Sequence, residues 1–384
     1  MEIELKNRHR YTLSFTGSSQ DYAGIWLKNF ILTVLTLGIY YPWARAQSLR
    51  YIYQHTSLNG HCFNFHGEPR RMMRPTLVFG FFLALYSVAS YLDPVSGFLA
   101  ALSFALLWPA VWQASTIFRL SKTSYKAWRF GFDGSLEQAY LHIGLPMLLF
   151  IFPTAWLGVN NAVFQLHSVW TVLSVAGLLV WLALYPVIFW QVKRLLHGRV
   201  VYGSQRFALR LNAKTVFAAF NGFYLAVGVV ICLVLAAAAI FKFQFFEFVS
   251  DGLTAQMSYY RVKPILWIWF AGLVLVWFVV LQSIGIQAAH NMIWSRTLGQ
   301  GVRLRAKLDA VSVMKLQARN TTCMVLSFGI FWPWAKIAML RLRLESVSLE
   351  CTQPLDDLLA SMSILRDVSS PELSGDLSVA EIGL

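Results

Sequence analysis

A chain of 384 residues that is 57% hydrophobic and only 13% charged, with a mean hydropathy of +0.55, does not have the composition of a soluble globular protein, which carries about 25% charged residues. The formal charge of +14 comes from Lys and Arg placed between apolar runs, so it marks cytoplasmic loops and excludes a nucleic-acid face. Cys62, Cys232, Cys323 and Cys351 have no paired spacing, which speaks against a disulfide framework or a thiolate metal site.

The first 24 residues are polar and mixed in charge, and read as lacking a cleavable signal peptide. Residues 11–17, YTLSFTG, alternate apolar and polar side chains and end on Gly, the pattern of a short strand. Asn29 to Arg50 then reads NFILTVLTLGIYYPWARAQSLR. The same sentence returns, without a gap, as NTTCMVLSFGIFWPWAKIAMLR from Asn320 to Arg341. The two copies share Gly38/Gly329, Pro42/Pro333, Trp43/Trp334 and Arg50/Arg341, with the charge kept at Arg45/Lys336. An in-register match of this kind is an internal repeat.

Shorter echoes lie between the copies. An aromatic-Pro step recurs at Trp108-Pro109 and Tyr185-Pro186, and Pro42 to Phe63, Pro109 to Phe130 and Pro186 to Phe207 are each 21 residues apart. Further strands are expected at 61–67, 128–134, 205–211 and 302–308. An open strand edge is not tolerated in lipid, so all five belong outside the hydrocarbon. Apolar runs at 75–92, 97–118, 139–159, 168–192, 213–241 and 264–287 approach the roughly 20 helical residues that cross a bilayer core.

The sequence therefore predicts an all-α polytopic membrane protein with about six spans in three hairpins. Two terminal Gly-Ile-aromatic-aromatic-Pro-Trp-Ala segments are re-entrant, and short cytoplasmic strands lie between the copies. With six spans the outer loops hold only Lys242, Arg261 and Lys263, leaving 29 of 32 cations inside (32 − 3) and both termini cytoplasmic. The alternative, eight full spans, strands Arg8, Arg10, Arg341 and Arg343 outside. Residues 1–350 form the membrane domain, and 351–384 an acidic, Ser-rich mobile tail with room for one short amphipathic helix.

The motif N-x(5)-L-T-L-G-I-Y-Y-P-W-A-R of Asn29 to Arg45, followed by His55-Thr56, Gly60 and Phe63-Asn-Phe-His-Gly67, resembles the YjgN-like family of uncharacterised bacterial inner-membrane proteins. The resemblance covers most of residues 10–345. It implies a multi-pass protein of the bacterial inner membrane and carries no activity or functional residues with it.

Among candidate ligands, His55, His61, Cys62 and His66 form the densest group. On a strand, however, His61 faces away from Cys62 and His66, so the group reads as interfacial rather than metal-binding. His142, inside a span, reads as a neutral hydrogen-bonded imidazole, and Gln113 and Gln287 as bridges between helices. The cations after each Pro, namely Arg45, Arg50, Arg119, Lys193, Arg194, Lys336 and Arg341, suit anionic lipid head groups as well as topology signalling. No acidic relay, Walker sequence or HExxH is present, so no enzyme and no cofactor are expected. Two functions remain. The first is a transporter, channel or lipid-handling protein for a neutral or amphiphilic molecule. Its contact motif would be Gly38, Pro42, Trp43, Arg45, Arg50, Gly329, Pro333, Trp334, Lys336 and Arg341, because paired broken segments mark binding sites in transporters. The second is a non-catalytic assembly protein that docks partners on its cytoplasmic face.

Overall fold

The computed structural model describes residues 9–126, 128–163, 169–222 and 279–360, with scattered positions between 224 and 277. Its strands are β1 (His9–Phe15), β2 (Thr56–Leu58), β3 (His61–Phe65), β4 (Thr123–Tyr125), β5 (Trp128–Phe132), β6 (Val200–Tyr202), β7 (Gln205–Arg206), β8 (Ala208–Leu209), β9 (Thr297–Leu298), β10 (Val302–Ala306) and β11 (Val347–Cys351). All pair antiparallel in one 11-stranded sheet of order β7-β6-β5-β4-β3-β2-β1-β11-β10-β9-β8. The expected all-α class is overturned by this sheet. The five alternating strands expected from the sequence are present, the one at 205–211 split at Phe207 into β7 and β8. Each has a partner that the sequence does not announce, because runs of two to five residues such as Thr297–Leu298 are too short to show a period.

The sheet runs round to itself. Its first and last strands, β7 and β8, are separated only by Phe207, whose N–H still donates to Val200 O at 3.0 Å. β1 divides its bonds, with His9–Thr12 on β11 and Leu13–Phe15 on β2. A closed ring leaves no open edge to aggregate or to meet lipid. One link is a two-residue turn at Asn59-Gly60, with φ of +49° and +75°. Those are the angles of a type I′ hairpin, which Asn-Gly adopts more readily than any pair with a bulky side chain.

The same two hydrogen bonds hold each of five strand–helix–helix–strand units. The N–H groups of Thr16, His66, Asp133, Arg210 and Lys307 donate to the carbonyls of His55, Lys122, Arg199, Arg296 and Ser346 at 2.8–3.0 Å. The next carbonyls, of Gly17, Gly67, Gly134, Leu211 and Leu308, accept from side chains of Arg341, Arg50, Gln113, Trp190 and Asn291 at 2.6–3.0 Å. Each of those donors sits on the helix that returns to the ring just before the strand it holds.

The helices all leave one rim of the ring, opposite the hairpin turns. They are α1 (Ser19–Leu35), α2 (Tyr41–Gln54), α3 (Pro69–Leu92), α4 (Pro94–Ser121), α5 (Leu136–Ala139), α6 (Leu145–Val163), α7 (Val169–Gly198), α8 (213–222), α9 (279–294), α10 (Ala310–Leu326), α11 (Trp332–Glu345) and α12 (355–360). A π-turn, Tyr140–Gly144, joins α5 to α6. Ser18, Asp93, Ser135 and Asp309 cap the starts of α1, α4, α5 and α10 by accepting backbone N–H bonds. Among the described residues four stretches are long and apolar enough to cross a membrane: Pro69–Leu92, Pro94–Ser121, Leu136–Trp156 and Val172–Gly198. The expected runs 213–241 and 264–287 lie largely outside the described residues.

Around the ring, the returning helix of each unit packs against the outgoing helix of the next: α2 on α3, α4 on α6 and α11 on α1. α7 meets α8 through Phe189 and Phe220, with ring centroids 5.3 Å apart. α9 meets α10 through Gln317 Nε2 and Gln282 Oε1 at 2.7 Å. Pro42 and Pro333 near the starts of α2 and α11, and Pro109 and Pro186 inside α4 and α7, are fully buried, and Ser283 is buried on α9.

Inside the ring the strands turn aromatic and aliphatic side chains inward. Leu13 faces Leu58, Phe63 faces Tyr125 and Phe130 faces Tyr202 across strand pairs. The hydroxyls are bonded in series, Tyr202 to Tyr125 O at 2.9 Å and Tyr125 to Leu58 O at 2.8 Å. Burial pushes the Tyr125 phenol up to about 12. α12 closes the rim of the turns. Leu355, Leu358 and Leu359 are buried in the same core, and Lys126 pairs with Asp356. The boundary drawn at residue 350 thus falls inside β11, and the chain just beyond it completes the core of the ring.

Candidate functional site

The two terminal hairpins, α1–α2 and α10–α11, carry every residue of the sequence-derived contact motif. Because β1 pairs with β2 and β10 with β11, each hairpin leaves the ring and returns to it. The eight-span alternative, which needs them to end on opposite sides, does not fit this pairing. α1 and α10 are 17 residues each, so each rises about 25 Å.

Their tips are built alike bond by bond. Gly38 N–H donates to Thr33 O at 2.7 Å, and Gly329 N–H to Met324 O at 2.8 Å. Tyr40 N–H reaches Thr36 Oγ1 and Phe331 N–H reaches Ser327 Oγ, both at 3.0 Å. Gly38 and Gly329 sit at φ of +91° and +88°, which a side chain on Cβ disfavours. Leu37 and Phe328, before them, are 94% and 96% exposed. Each tip also presents Ile39 or Ile330 outward. Below the tip Tyr40 stacks on Trp43 and Phe331 on Trp334, each pair at 13°. Pro42 and Pro333 are buried beneath them.

The two hairpins meet through α1 and α11. Trp26 and Trp332 lie 5.9 Å apart. Lys336 Nζ stands 4.7 Å above the Trp332 ring and donates to the Tyr22 hydroxyl at 2.6 Å. Asn29 is buried with neither amide atom hydrogen-bonded. Its counterpart Asn320 donates to Ala335 O at 3.3 Å and leaves Oδ1 without a partner. Arg45 is exposed on α2. Arg50 and Arg341 each give a donor to the ring, at Gly67 O and Gly17 O. The motif residues of each hairpin are therefore gathered, and among the described residues the two hairpins meet through that motif at Lys336. Tyr22 and Trp26, which complete that meeting, stand outside the aligned copies, and their helical spacing of four was the only signal for them.

The remaining candidates separate. His55 Nδ1 lies 2.8 Å from Tyr51 O, His61 Nδ1 2.9 Å from Asn59 O and His66 Nε2 2.9 Å from Ser124 Oγ, while Cys62 is exposed. No group of three metal-ligating side chains gathers among the described residues. His142 lies on the π-turn, where its Nδ1 is buried without a hydrogen-bond partner. Gln113 holds Gly134 O instead of bridging two helices in the bilayer. In the fourth unit the same task falls to Asn291, one turn beyond Gln287.

A closed strand ring with long apolar helical hairpins on one rim defines a membrane protein. The chain belongs to the bacterial proteins of unknown function grouped as DUF898, whose family model matches residues 10–370. It is similar to the protein named Inner membrane protein YjgN of Salmonella typhimurium, at 29% identity over 224 residues, 56% of this chain and 55% of the relative. The proteins of that name from Escherichia coli O157:H7 and strain K12 are 26% identical over 211 and 213 residues, 53% of each chain. The chain thus spans about half the length of the curated relatives it matches. No solved structure matches it.

Proposed function

We propose that this chain is a multi-pass protein of the bacterial inner membrane that handles an amphiphilic, lipid-like molecule at its paired terminal hairpins, and that it performs no catalysis. The observation that carries this reading is the pair of tips, where Leu37 and Phe328 are almost wholly exposed at the ends of helices about 25 Å long. A hairpin of that length ends within a hydrocarbon core about 30 Å thick. It therefore perturbs the acyl chains around its tip, while Lys336 and the exposed Arg45 stand nearer the ring to meet a head group. In this reading the ring and both termini are cytoplasmic, and the five units descend from internal copies of one strand–helix–helix–strand element.

The test is phospholipid exchange between leaflets of proteoliposomes, followed by quenching of a head-group-labelled lipid from outside. The purified chain should speed exchange well above empty liposomes, and Leu37→Asp with Phe328→Asp should remove most of that gain. No acceleration by the unaltered protein sinks the reading. A second reading, a non-catalytic assembly protein, draws on the seat of α12. There a short helix bearing Leu355, Leu358 and Leu359 fits the apolar mouth of the ring, as a partner's helix would.

A further inference from the structure

The inner side of the helix ring holds a set of basic side chains, of which the sequence reading drew only on Lys193 as a lipid contact. Lys193 and His197 lie one turn apart near the end of α7, His290 and Trp294 lie likewise on α9, and α11 adds Arg343. The two imidazoles flank the indole of Trp294, with ring centroids 5.5 Å away for His197 and 6.1 Å for His290. His290 Nε2 lies 2.9 Å from Ser346 Oγ, whose own proton goes to Arg343 O at 2.7 Å. The hydroxyl has only one proton, so on this arrangement His290 Nε2 is the donor.

The charges converge although the helices are not consecutive. α9 stands between α7 and α11 in the ring, and its Trp294 meets His197 of α7 while its His290 reaches Ser346 directly after α11, so Lys193 and Arg343, each one turn from these contacts, are brought to the same place. Side chains of three successive returning helices can all reach one another only on the inside of the ring. Among the described residues no carboxylate forms an ion pair with Lys193, His197 or His290. Two permanent cations held close in a partly dry interior repel, and the repulsion grows as the effective dielectric falls. A surface cation such as the exposed Arg194 serves topology equally well without this cost. Arg343 remains open to solvent while His290 is buried, so the cluster has an approach and a floor.

We infer that Lys193, Arg343 and His197 form an oxyanion site on the inner face of the helix ring, matched to a phosphate group, with His290 fixed beneath it by its bond to Ser346. The guanidinium offers a planar fork of donors and the ammonium a point charge, the pair that recognises phosphate elsewhere. The site lies at the helix-bearing rim of the ring, where a soluble phosphate and a lipid phosphate are both within reach. It stands apart from the terminal hairpins and does not require the chain to move what it binds.

The test uses the full chain in phosphatidylcholine nanodiscs, with thermal unfolding read by Trp fluorescence. Inorganic phosphate, compared with chloride at equal ionic strength, should raise Tm in a saturating way, as a ligand bound only to the folded state does. The rise should vanish in Lys193→Met and Arg343→Met and persist in Arg194→Gln. Phosphatidylglycerol nanodiscs separate the sources. If they raise Tm and blunt the phosphate response the ligand is a lipid head group, and if they add nothing the ligand is the soluble anion. In chloride, Lys193→Met should unfold no lower than the unaltered chain, because it removes a repulsion. Lys193→Gln repeats that comparison with a polar side chain. The inference is overturned if neither phosphate nor phosphatidylglycerol stabilises the unaltered chain. It is equally overturned if the response survives both Met variants, or if both Lys193 variants unfold lower in chloride. Lipid exchange at the hairpins plays no part in any of these readings.

Discussion

The Arg341 guanidinium donates to the carbonyl of Gly17 at 2.7 Å across 324 residues of chain. It ties the last long helix to the first strand of the ring, as Arg50 ties α2 to Gly67 at 3.0 Å. Both are charge-assisted bonds to a carbonyl that has no strand partner, and such bonds contribute about 1.5–3 kcal/mol where they are sheltered. Arg341 is itself exposed, which places its bond at the low end. Arg341→Ala should therefore lower stability by about 1–2 kcal/mol, and Arg45→Ala, on the exposed face of α2, should change it little. Thermal unfolding of the two variants in one detergent makes the comparison, and equal losses would remove the ring-closing role of Arg341.

Two glycines of the first unit should respond to the same substitution with opposite sign. A Cβ at Gly17 would stand 2.5 Å from the Phe15 ring, which is itself buried, whereas a Cβ at Gly24 inside α1 meets nothing within 4 Å. Gly17→Ala should destabilise by about 1–3 kcal/mol through overpacking. Gly24→Ala should stabilise by up to about 1 kcal/mol through the helix preference for Ala. Unfolding midpoints in denaturant decide it, and a neutral Gly17→Ala would mean that the ring of Phe15 moves aside at little cost.

Much of this arrangement was legible in the sequence, and the part that was not has a physical reason. Tyr11, Leu13 and Phe15 alternate with Thr12 and Ser14, so β1 shows its period. Thr56-Ser57 directly follows a helix and spans too few residues to alternate, so the sequence shows no strand at β2. The Gly38 and Gly329 breaks were visible because a positive φ selects Gly. The oxyanion cluster was not, because Lys193, His290 and Arg343 lie on three helices far apart in the chain and acquire a common direction only when the ring closes. The acidic composition after residue 350 hid Leu355, Leu358 and Leu359, whose spacing suits one helical face but is too brief to stand out.

The two cysteines of the ring should differ sharply in chemistry. Cys62 is exposed on β3, while Cys351 is buried on β11 and burial pushes its thiol up to about 11. With Cys232 and Cys323 replaced by Ser, a maleimide at pH 7.5 should modify Cys62 in the folded protein and reach Cys351 only on unfolding, because the thiolate is the nucleophile. The raised value also sets an alkaline limit. Its contribution to stability is whole below the ordinary thiol value of 9.0 and is lost as pH rises from there through about 11. Tyr125, raised from 10.0 to about 12, adds a second loss just above it. Alkaline unfolding should therefore begin above pH 9, and Cys351→Ala should remove the earlier part of it.

Pro42 and Pro333 offer a test of the likeness of the two terminal hairpins. Each is fully buried near the start of its helix, directly after a tip held by the same set of backbone bonds. Pro there presets the φ of the first helical turn at no hydrogen-bond cost, and Ala in its place loses both that restriction and ring atoms from a packed site. Pro42→Ala and Pro333→Ala should each lower Tm, by amounts within a factor of two of one another. Damage from one alone would show that the two tips, though built alike, carry unequal loads.

α12 gives the sharpest test of how the ring is filled. Leu358 is buried among Leu58, Tyr125 and Tyr202, and Leu355 N–H donates to the Tyr11 hydroxyl at 3.1 Å. Asp356, on the same turn, pairs with Lys126 but is itself largely exposed. Truncating a buried Leu costs about 2–5 kcal/mol because the cavity only partly collapses. An exposed ion pair gains little, since water screens it and two side chains must be ordered to make it. Leu358→Ala should therefore cost several times more stability than Asp356→Asn. Limited proteolysis of Leu358→Ala should cut first between Cys351 and Ala360, because the described turns of α12 have no stability of their own once the leucine leaves the core. If both variants are equally mild, the aromatic interior of the ring is closed without α12, and the segment is a passive extension of β11.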